Sequence, residues 1–551
     1  MKQPIYILLA IVCCHHAKAK VLDCDNPVYC QGQLLDVVQR SNVYNDSKKF
    51  VDMVQKNSQN ITLDHFQELL AHTNNSPTHD EILNFLNENF ESATELESWT
   101  PGDYVENPDF LNTINDTKVK EFAQALVKIW PTLGRKVKDS VFEEQDRHSF
   151  IPVPNGFIIP GGRFAEIYYW DTYWIIKGLI ISGMTETVRG ILENFISLIQ
   201  RFGFIPNGSR IYYLNRSQPP LFSAMVGLYI KATNNITWLE KHIDTIEQEL
   251  NWWLENRSVT VERSGKSYKL VQYNVKIGTP RPESYSEDIE TCKTFDNDQK
   301  EACYRNLKSA AESGWDFSSR WFFNPDGSIG TNITFINTTR LVPVDLNAFF
   351  CRSIRELSNF YRIIGNTNKS NEWGNIEKQL MQAIQDVLYN KEDKIWYDWD
   401  IDLSQHRKEF FGSNLAPLWA EAFDPQNKDE YGSNAVDYLE KNGIDAFLGG
   451  TPTSLIHSGQ QWDFPNAWPP LQEIVVLGLK YTGNDRAIQA SKMYAERTLT
   501  AYMTGYDNAQ EMFEKYDAVN VGEFGGGGEY IVQFGFGWTN GIALSLIELL
   551  Y

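Results

Sequence analysis

The pairs Trp170-Asp171, Trp315-Asp316 and Trp462-Asp463 each stand in a stretch crowded with Gly, Pro, Arg, Gln or Asn. That mixture suits a sugar. A pyranose offers apolar C–H faces that an indole covers, and a rim of hydroxyls that carboxylates, guanidiniums and amides bind in fixed directions. Splitting the bond between two sugars adds a requirement: a proton must reach the bridging oxygen and, for inversion, a base must activate water on the opposite face. Two carboxyls are therefore the minimum. Taken singly, any one of the 71 acidic residues is a weak candidate, so motif context has to select among them.

The longest such stretch, Pro160-Gly-Gly-Arg-Phe-Ala-Glu-Ile-Tyr-Tyr-Trp-Asp-Thr-Tyr-Trp174, and Gln461-Trp-Asp-Phe-Pro-Asn-Ala-Trp-Pro-Pro470 closely resemble the two signature motifs of the trehalases, inverting glycosidases that cleave α,α-trehalose. The resemblance continues through Ile205–Arg210, Asn215–Pro220, Pro280–Tyr285, Glu312–Arg320, Pro343–Asn347, Glu514–Asp517 and Gly525–Tyr530, in the family's order, from about Pro160 to Tyr551. It implies an all-α (α/α)6 barrel with no cofactor and no metal, acting on trehalose. By the same resemblance Asp316 is the general acid and Glu514 the general base, and Arg163, Arg216 and Arg281 are substrate-binding arginines. Phe164, Trp170, Asp171, Asn207, Gln218, Glu283, Gly314, Trp468 and Glu529 complete the two glucose subsites.

Physical chemistry qualifies several of these roles. Asp316 must stay protonated near working pH although the arginines push its pKa down, so burial and the charge of Glu514 have to push it up. A surface salt bridge is the usual fate of an arginine, but these three sit among Pro, Gly, Asn and aromatic residues, which favours the pocket. Asp171 has a rival role as the N-cap of the helix through Trp174–Lys177. The run Gly525–Gly528 lacks the Gly-Lys-Ser/Thr ending of a phosphate loop and reads instead as a mobile flap over a bound disaccharide. Phe534 stands where the family often has a polar residue, and no role is carried onto it. The nine His form no zinc motif. Asp398-x-Asp400-x-Asp402 with Glu409 imitates a calcium loop, but Leu403 occupies the position that demands Gly.

Around these motifs the chain is helical. Val188, Ile191, Leu192, Phe195, Leu198 and Ile199 recur at three- and four-residue spacing, as do Ile376, Leu380, Ala383, Ile384, Val387 and Leu388. Further helices are readable at 221–233, 237–254, 346–364, 471–481, 487–504 and 539–550, while strand alternation is brief, as at 267–273. No fixed-period repeat is visible, which counts against a solenoid. Residues 20–117 are polar and irregular, with short helical patterns at 47–55 and 64–71, and read as an arm packed on a catalytic domain of residues 118–551.

Met1-Lys2, the apolar run Ile5–Cys14 and Ala17-Lys18-Ala19 match a secretory signal over residues 1–19. Secretion makes disulfides admissible, and proximity favours Cys24–Cys30 and Cys292–Cys303, with Cys351 a buried inert thiol. Sequons at Asn45, Asn60, Asn74, Asn115, Asn235, Asn256, Asn332, Asn337 and Asn368 fit N-glycosylation, whereas those at Asn207 and Asn215 fall inside the motifs. A formal net charge of −21 and a pI near 5.0 argue against nucleic-acid partners and anionic membranes. No apolar run reaches the length of a membrane span. Two rivals remain at this point: another α-glucosidase on a helical barrel, with an open pocket, and a non-catalytic trehalose-binding protein that has lost a carboxylate.

Overall fold

The computed structural model describes residues 24–551; the expected signal segment lies outside the described residues. Among the described residues, twelve helices pair into two concentric rings. The outer members are α1 (Thr117–Leu133), α3 (Thr185–Phe202), α5 (Ile236–Asn256), α7 (Thr367–Ala383), α9 (Lys428–Lys441) and α11 (Asp485–Ala509). Alternating with them along the chain are the inner α2 (Asp171–Ile181), α4 (Phe222–Thr233), α6 (Val344–Ile363), α8 (Ala416–Trp419), α10 (Pro469–Tyr481) and α12 (Gly537–Leu550). Each inner helix packs on the next, α2 on α4 and so on to α10 on α12, and α12 packs back on α2. The ring is closed, and the fold is an (α/α)6 barrel.

Composition explains which helices go inside. The inner α12 is buried without interruption from Gly537 to Ile547, whereas the outer α3 buries a stripe, Val188, Ile191, Leu192, Phe195, Leu198 and Ile199, and exposes its polar face. Helix starts differ in the same way. Asp116, Asn235, Asn366 and Asn484 cap outer helices through their side chains. All six inner helices begin without a side-chain cap, and the loops that carry the motifs gather there. The closest inner contact is between α2 and α12: a Cβ on Gly541 would lie 2.0 Å from the Trp174 carbonyl oxygen. Gly541→Ala would force these helices apart, a strain of about 1–3 kcal/mol.

Near the N-terminus, helices Gln33–Arg40, Lys48–Val51, Gln59–His72 and His79–Asn89 enclose a second, smaller core built on Leu35, Phe50, Phe66, Phe85 and Phe90. Tyr168, Tyr212 and Tyr213 from the barrel loops join it. Two of these helices, 33–40 and 79–89, lie in sequence read as irregular. The second carries a readable signal, since Thr78 and Glu81 form a capping box. Both expected disulfides, Cys24–Cys30 and Cys292–Cys303, are formed, and Cys351 is a buried free thiol on α6. Sheets are small. The antiparallel hairpin 258–263 with 266–271 matches the expected alternation, and Asn466–Ala467 pairs with Tyr516–Asp517, tying two motif loops together beside the barrel mouth.

Candidate active site

A pocket opens at the uncapped ends of the inner helices, with about 670 Å³ of space between its walls, open solvent at the mouth included. All fourteen residues expected from the motifs line it: Asp316 and Glu514; Arg163, Arg216 and Arg281; Phe164, Trp170, Asp171, Asn207, Gln218, Glu283, Gly314, Trp468 and Glu529. Local structure explains their positions. Trp170 and Asp171 open α2, Gln218 precedes α4, Trp468 immediately precedes α10, and Gly314 ends the helix Asn297–Ser313 in the left-handed region, turning the chain into Asp316.

Glu514 is buried, Asp316 is half-buried, and both carboxyls are shifted. Burial raises Asp316 to about 7, against the pull of Arg281 and Arg216. The neighbouring carboxylate that adds to the rise is Glu529, where the sequence reading looks to Glu514. Glu514 is also raised by burial, but Lys515, the Tyr530 hydroxyl and the Gln533 N–H hold it back. Tyr530 donates to Glu514 Oε1 at 2.7 Å and Gln533 N to Oε2 at 3.3 Å. Asp171 is pushed to about 8 by burial and by the charges of Glu514 and Asp316. It does not cap α2: the helix starts at Asp171 itself, Trp170 holds the capping position, and no side chain caps it.

The arginines correct the either-or of pocket and salt bridge, because each is in both. Arg163 binds Asp46, Arg216 binds Glu283, and Arg281 binds Asp288 and Glu529. Arg216 spends only Nη2 on its partner, so its Nε and Nη1 and Glu283 Oε2 remain buried polar atoms without a protein partner. Buried donors and acceptors left open on a pocket wall are hydrogen-bonding capacity for a polar ligand. Aromatic faces supply the rest of the wall. Trp462 lies flat on Trp468 at 3.9 Å, and Trp170 meets Trp462 at 5.8 Å.

Residues 42–551 match the model of the trehalase family. A trehalase of Tenebrio molitor is 51% identical over 526 residues, covering 95% of each chain. The human trehalase is 43% identical over 527 residues, covering 95% of this chain and 89% of the relative. The chain belongs to the trehalase family. It is a glycoside hydrolase. Among solved structures, neutral trehalase Nth1 from Saccharomyces cerevisiae has the same fold, with a TM-score of 0.58 at 22% identity over 72% of this chain and 74% of that one.

Within this trehalase-family site the Trp-Asp pairs separate into two layers. Trp170, Asp171, Asp316 and Trp462 line the pocket. Trp315 lies behind, stacked on Trp462 at 5.1 Å, and Asp463 is structural, accepting from the Ser318, Ser319 and Ser454 hydroxyls at 3.0, 2.8 and 2.8 Å. Tyr168, Tyr213, Tyr530, Phe536 and Trp538 also line the pocket and were not singled out from the sequence; Tyr168 and Tyr530 stand within the motifs. Lys515, next to the candidate base, donates to Gln461 Oε1 at 2.7 Å, and Gln461 Nε2 donates to the Asp316 carbonyl at 2.5 Å.

The glycine run is hydrogen-bonded to neighbouring loops, with Gly525 buried and Gly526 to Gly528 exposed. Gly525 N bonds the Lys515 carbonyl, and Gly526 is held through both its N–H and its carbonyl by the Asn466 side chain. Gly527, at φ +80°, passes so close to the Gly459 carbonyl oxygen that a Cβ would lie 2.5 Å from it. Close approach accounts for Gly525, Gly527 and Gly528, whereas a Cβ on Gly526 would meet open space. Phe534 is half-exposed, edge-on to Phe513 and Phe524. In the calcium-like run, Arg320 neutralises Asp398 and Arg340 neutralises Asp400.

Proposed function

We propose that this enzyme hydrolyses α,α-trehalose to two glucose molecules with inversion at the attacked anomeric carbon. The observation that carries the reading is that Asp316 and Glu514 line one pocket, Glu514 buried and Asp316 half-buried, each with a raised pKa. Asp316 gives its proton to the bridging oxygen as the anomeric C–O bond breaks and its electron pair moves to that oxygen. Glu514 takes a proton from water, whose oxygen forms the new bond from the opposite face. Arg163, Arg216, Arg281, Asn207, Gln218, Glu283 and Glu529 hold the hydroxyl rims, Phe164, Trp170 and Trp468 cover the C–H faces, and Gly314 leaves space for the Trp170 indole to lie against the chain beside Asp316. Asp171, uncharged near neutral pH, donates a hydrogen bond to a hydroxyl.

The signal-like pattern of residues 1–19, the sequons and the two disulfides support secretion with N-glycans, and the second core, built mainly from residues 24–90, supports the N-terminal part of an arm of residues 20–117 on a catalytic domain of 118–551.

Asp316→Asn and Glu514→Gln test the roles: each keeps shape and should lower turnover on trehalose by ~10²–10⁴-fold while sugar binding persists. Proton NMR of the first product tests the stereochemistry. Equal α- and β-glucose is expected, since only the attacked unit inverts. Initial release of α-glucose alone, or a variant that turns over normally, would overturn the mechanism.

A further inference from the structure

Asp46 lies far from every motif that carries the family resemblance, in the helical N-terminal segment 117 residues before Arg163. Its two carboxylate oxygens accept from Arg163 Nε and Nη2, both at 2.7 Å. This side-on, bidentate pair fixes the plane of the guanidinium and leaves Nη1 as the donor still to be used. The clamp is itself anchored. Asp46 Oδ1 accepts from Lys48 N at 2.9 Å, Ser47 Oγ donates to Glu287 at 3.0 Å, and Lys48 pairs with the buried Glu166 at 2.7 Å. Gln39 reaches the Ser47 and Pro282 carbonyls at 2.9 and 3.0 Å, so the segment also grips the loop that carries Arg281 and Glu283.

On its other side Arg163 meets the surroundings of Glu514. Its guanidinium sits 5.2 Å from the Tyr530 ring, and its backbone N–H donates to Gln533 Oε1 at 2.8 Å. Tyr530 and Gln533 are the two residues that hydrogen-bond the Glu514 carboxylate. An arginine released here would face Asp171, Asp316, Glu283, Glu514 and Glu529 on the pocket wall. The guanidinium charge already acts on Glu514, and a base locked in an arginine pair loses both basicity and access to water.

We propose that Asp46 is a positioning residue of the active site: by occupying two donors of Arg163, it aims the guanidinium at the substrate and holds it off Glu514. The inference rests on the assignment of Glu514 as the base. It makes the N-terminal segment part of the working site and distinguishes this ion pair from an ordinary, partly exposed one, which adds little to stability and nothing to kinetics.

The test is Asp46→Asn, which retains an oxygen to accept from Lys48 N but loses the charge and the second acceptor, with Asp46→Glu as the charge-keeping control. For Asp46→Asn, KM for trehalose should rise by roughly tenfold, the loss expected when a charged hydrogen bond to substrate is disordered. The acid limb of kcat/KM should also move to lower pH. The groups facing Glu514 are Lys515, Tyr530, Arg163, Asp171 and Asp316, and of these only the effect of Arg163 changes, its positive charge now acting uncompensated. Asp46→Glu should keep the wild-type acid limb with an intermediate KM, and it carries the test if Asp46→Asn does not fold. A lower melting temperature with unchanged KM and pH profile would reduce Asp46 to a structural residue and overturn the proposal. Wild-type protein that releases no glucose from trehalose would instead overturn the proposed function on which it rests.

Discussion

The Tyr530 hydroxyl donates to Glu514 Oε1 at 2.7 Å, and Tyr530 immediately follows the glycine run and Glu529. The Gly525–Gly528 run and the tyrosine that dresses the candidate base therefore belong to one short segment. Its Tyr530 ring also packs edge-on against Phe164 at 5.3 Å, which fixes where the hydroxyl points.

Removing that hydroxyl tests whether it tunes the base. Burial raises the Glu514 pKa, and the Tyr530 bond lowers it by stabilising the carboxylate. In Tyr530→Phe burial acts less opposed, so the Glu514 pKa rises further. A base must be ionised to work, hence the acid limb of kcat/KM should move to higher pH. At pH values below the new limb, activity should fall tenfold or more, the value of a charged hydrogen bond of about 1.5–3 kcal/mol. An acid limb that stays in place, measured with stopped assays of glucose release, would show that the hydroxyl serves only packing.

Glu529 controls the other limb. Asp316 works protonated, so activity should decline as pH rises through its value of about 7. Glu529 holds that value up, while Arg281, which bonds Glu529 at 2.9 Å, pulls it down. Glu529→Gln removes one negative charge and leaves Arg281 less neutralised, and both changes favour the Asp316 carboxylate. The basic limb should shift to lower pH, accompanied by a rise in KM because Glu529 also lines the pocket. A basic limb moving upward, or one that ignores the substitution, would reject Asp316 as the group titrating there.

Outer helices are legible where periodicity follows burial, which acts locally along the chain: α3 begins and ends within a few residues of its apolar stripe, whereas α7 starts well before Ile376 and gives way to a π-helical turn at Ile384–Leu388. The closed ring was not legible from periodicity, since the same stripes suit a bundle, and only the motif resemblance selected the barrel. In the pocket, the motif resemblance pointed to residues that line it, yet not to what each one touches. Arg163 lines the pocket as the motif implies, while its partner Asp46 carries no signal, because an ion pair spanning 117 residues leaves no trace in local sequence. Asp463 shows the opposite failure. Its neighbour Trp462 faces the pocket while its own carboxylate turns into a cluster of serine hydroxyls, and adjacent residues on a loop need not share a face.

The disulfides offer a prediction about stability separable from activity. Cys292–Cys303 joins the helices Tyr285–Cys292 and Asn297–Ser313, the first following Arg281 and Glu283 and the second leading into Gly314 and Asp316. Cys24–Cys30 closes a shorter loop beside the small N-terminal core. With sequence separations of 11 and 6 residues, each should contribute about 2–3 kcal/mol on the chain-entropy account. Reduction should lower the melting temperature in differential scanning fluorimetry. Glucose release at ambient temperature should be unchanged, because no cysteine is among the pocket-lining residues. Cys351 supplies the internal control: burial pushes its thiol up to about 12, so it should resist alkylation in the folded enzyme and react once denaturant exposes α6. Reduction that abolishes activity before any unfolding is detected would mean that Cys292–Cys303 holds the catalytic loops in place and is not merely a staple on the chain.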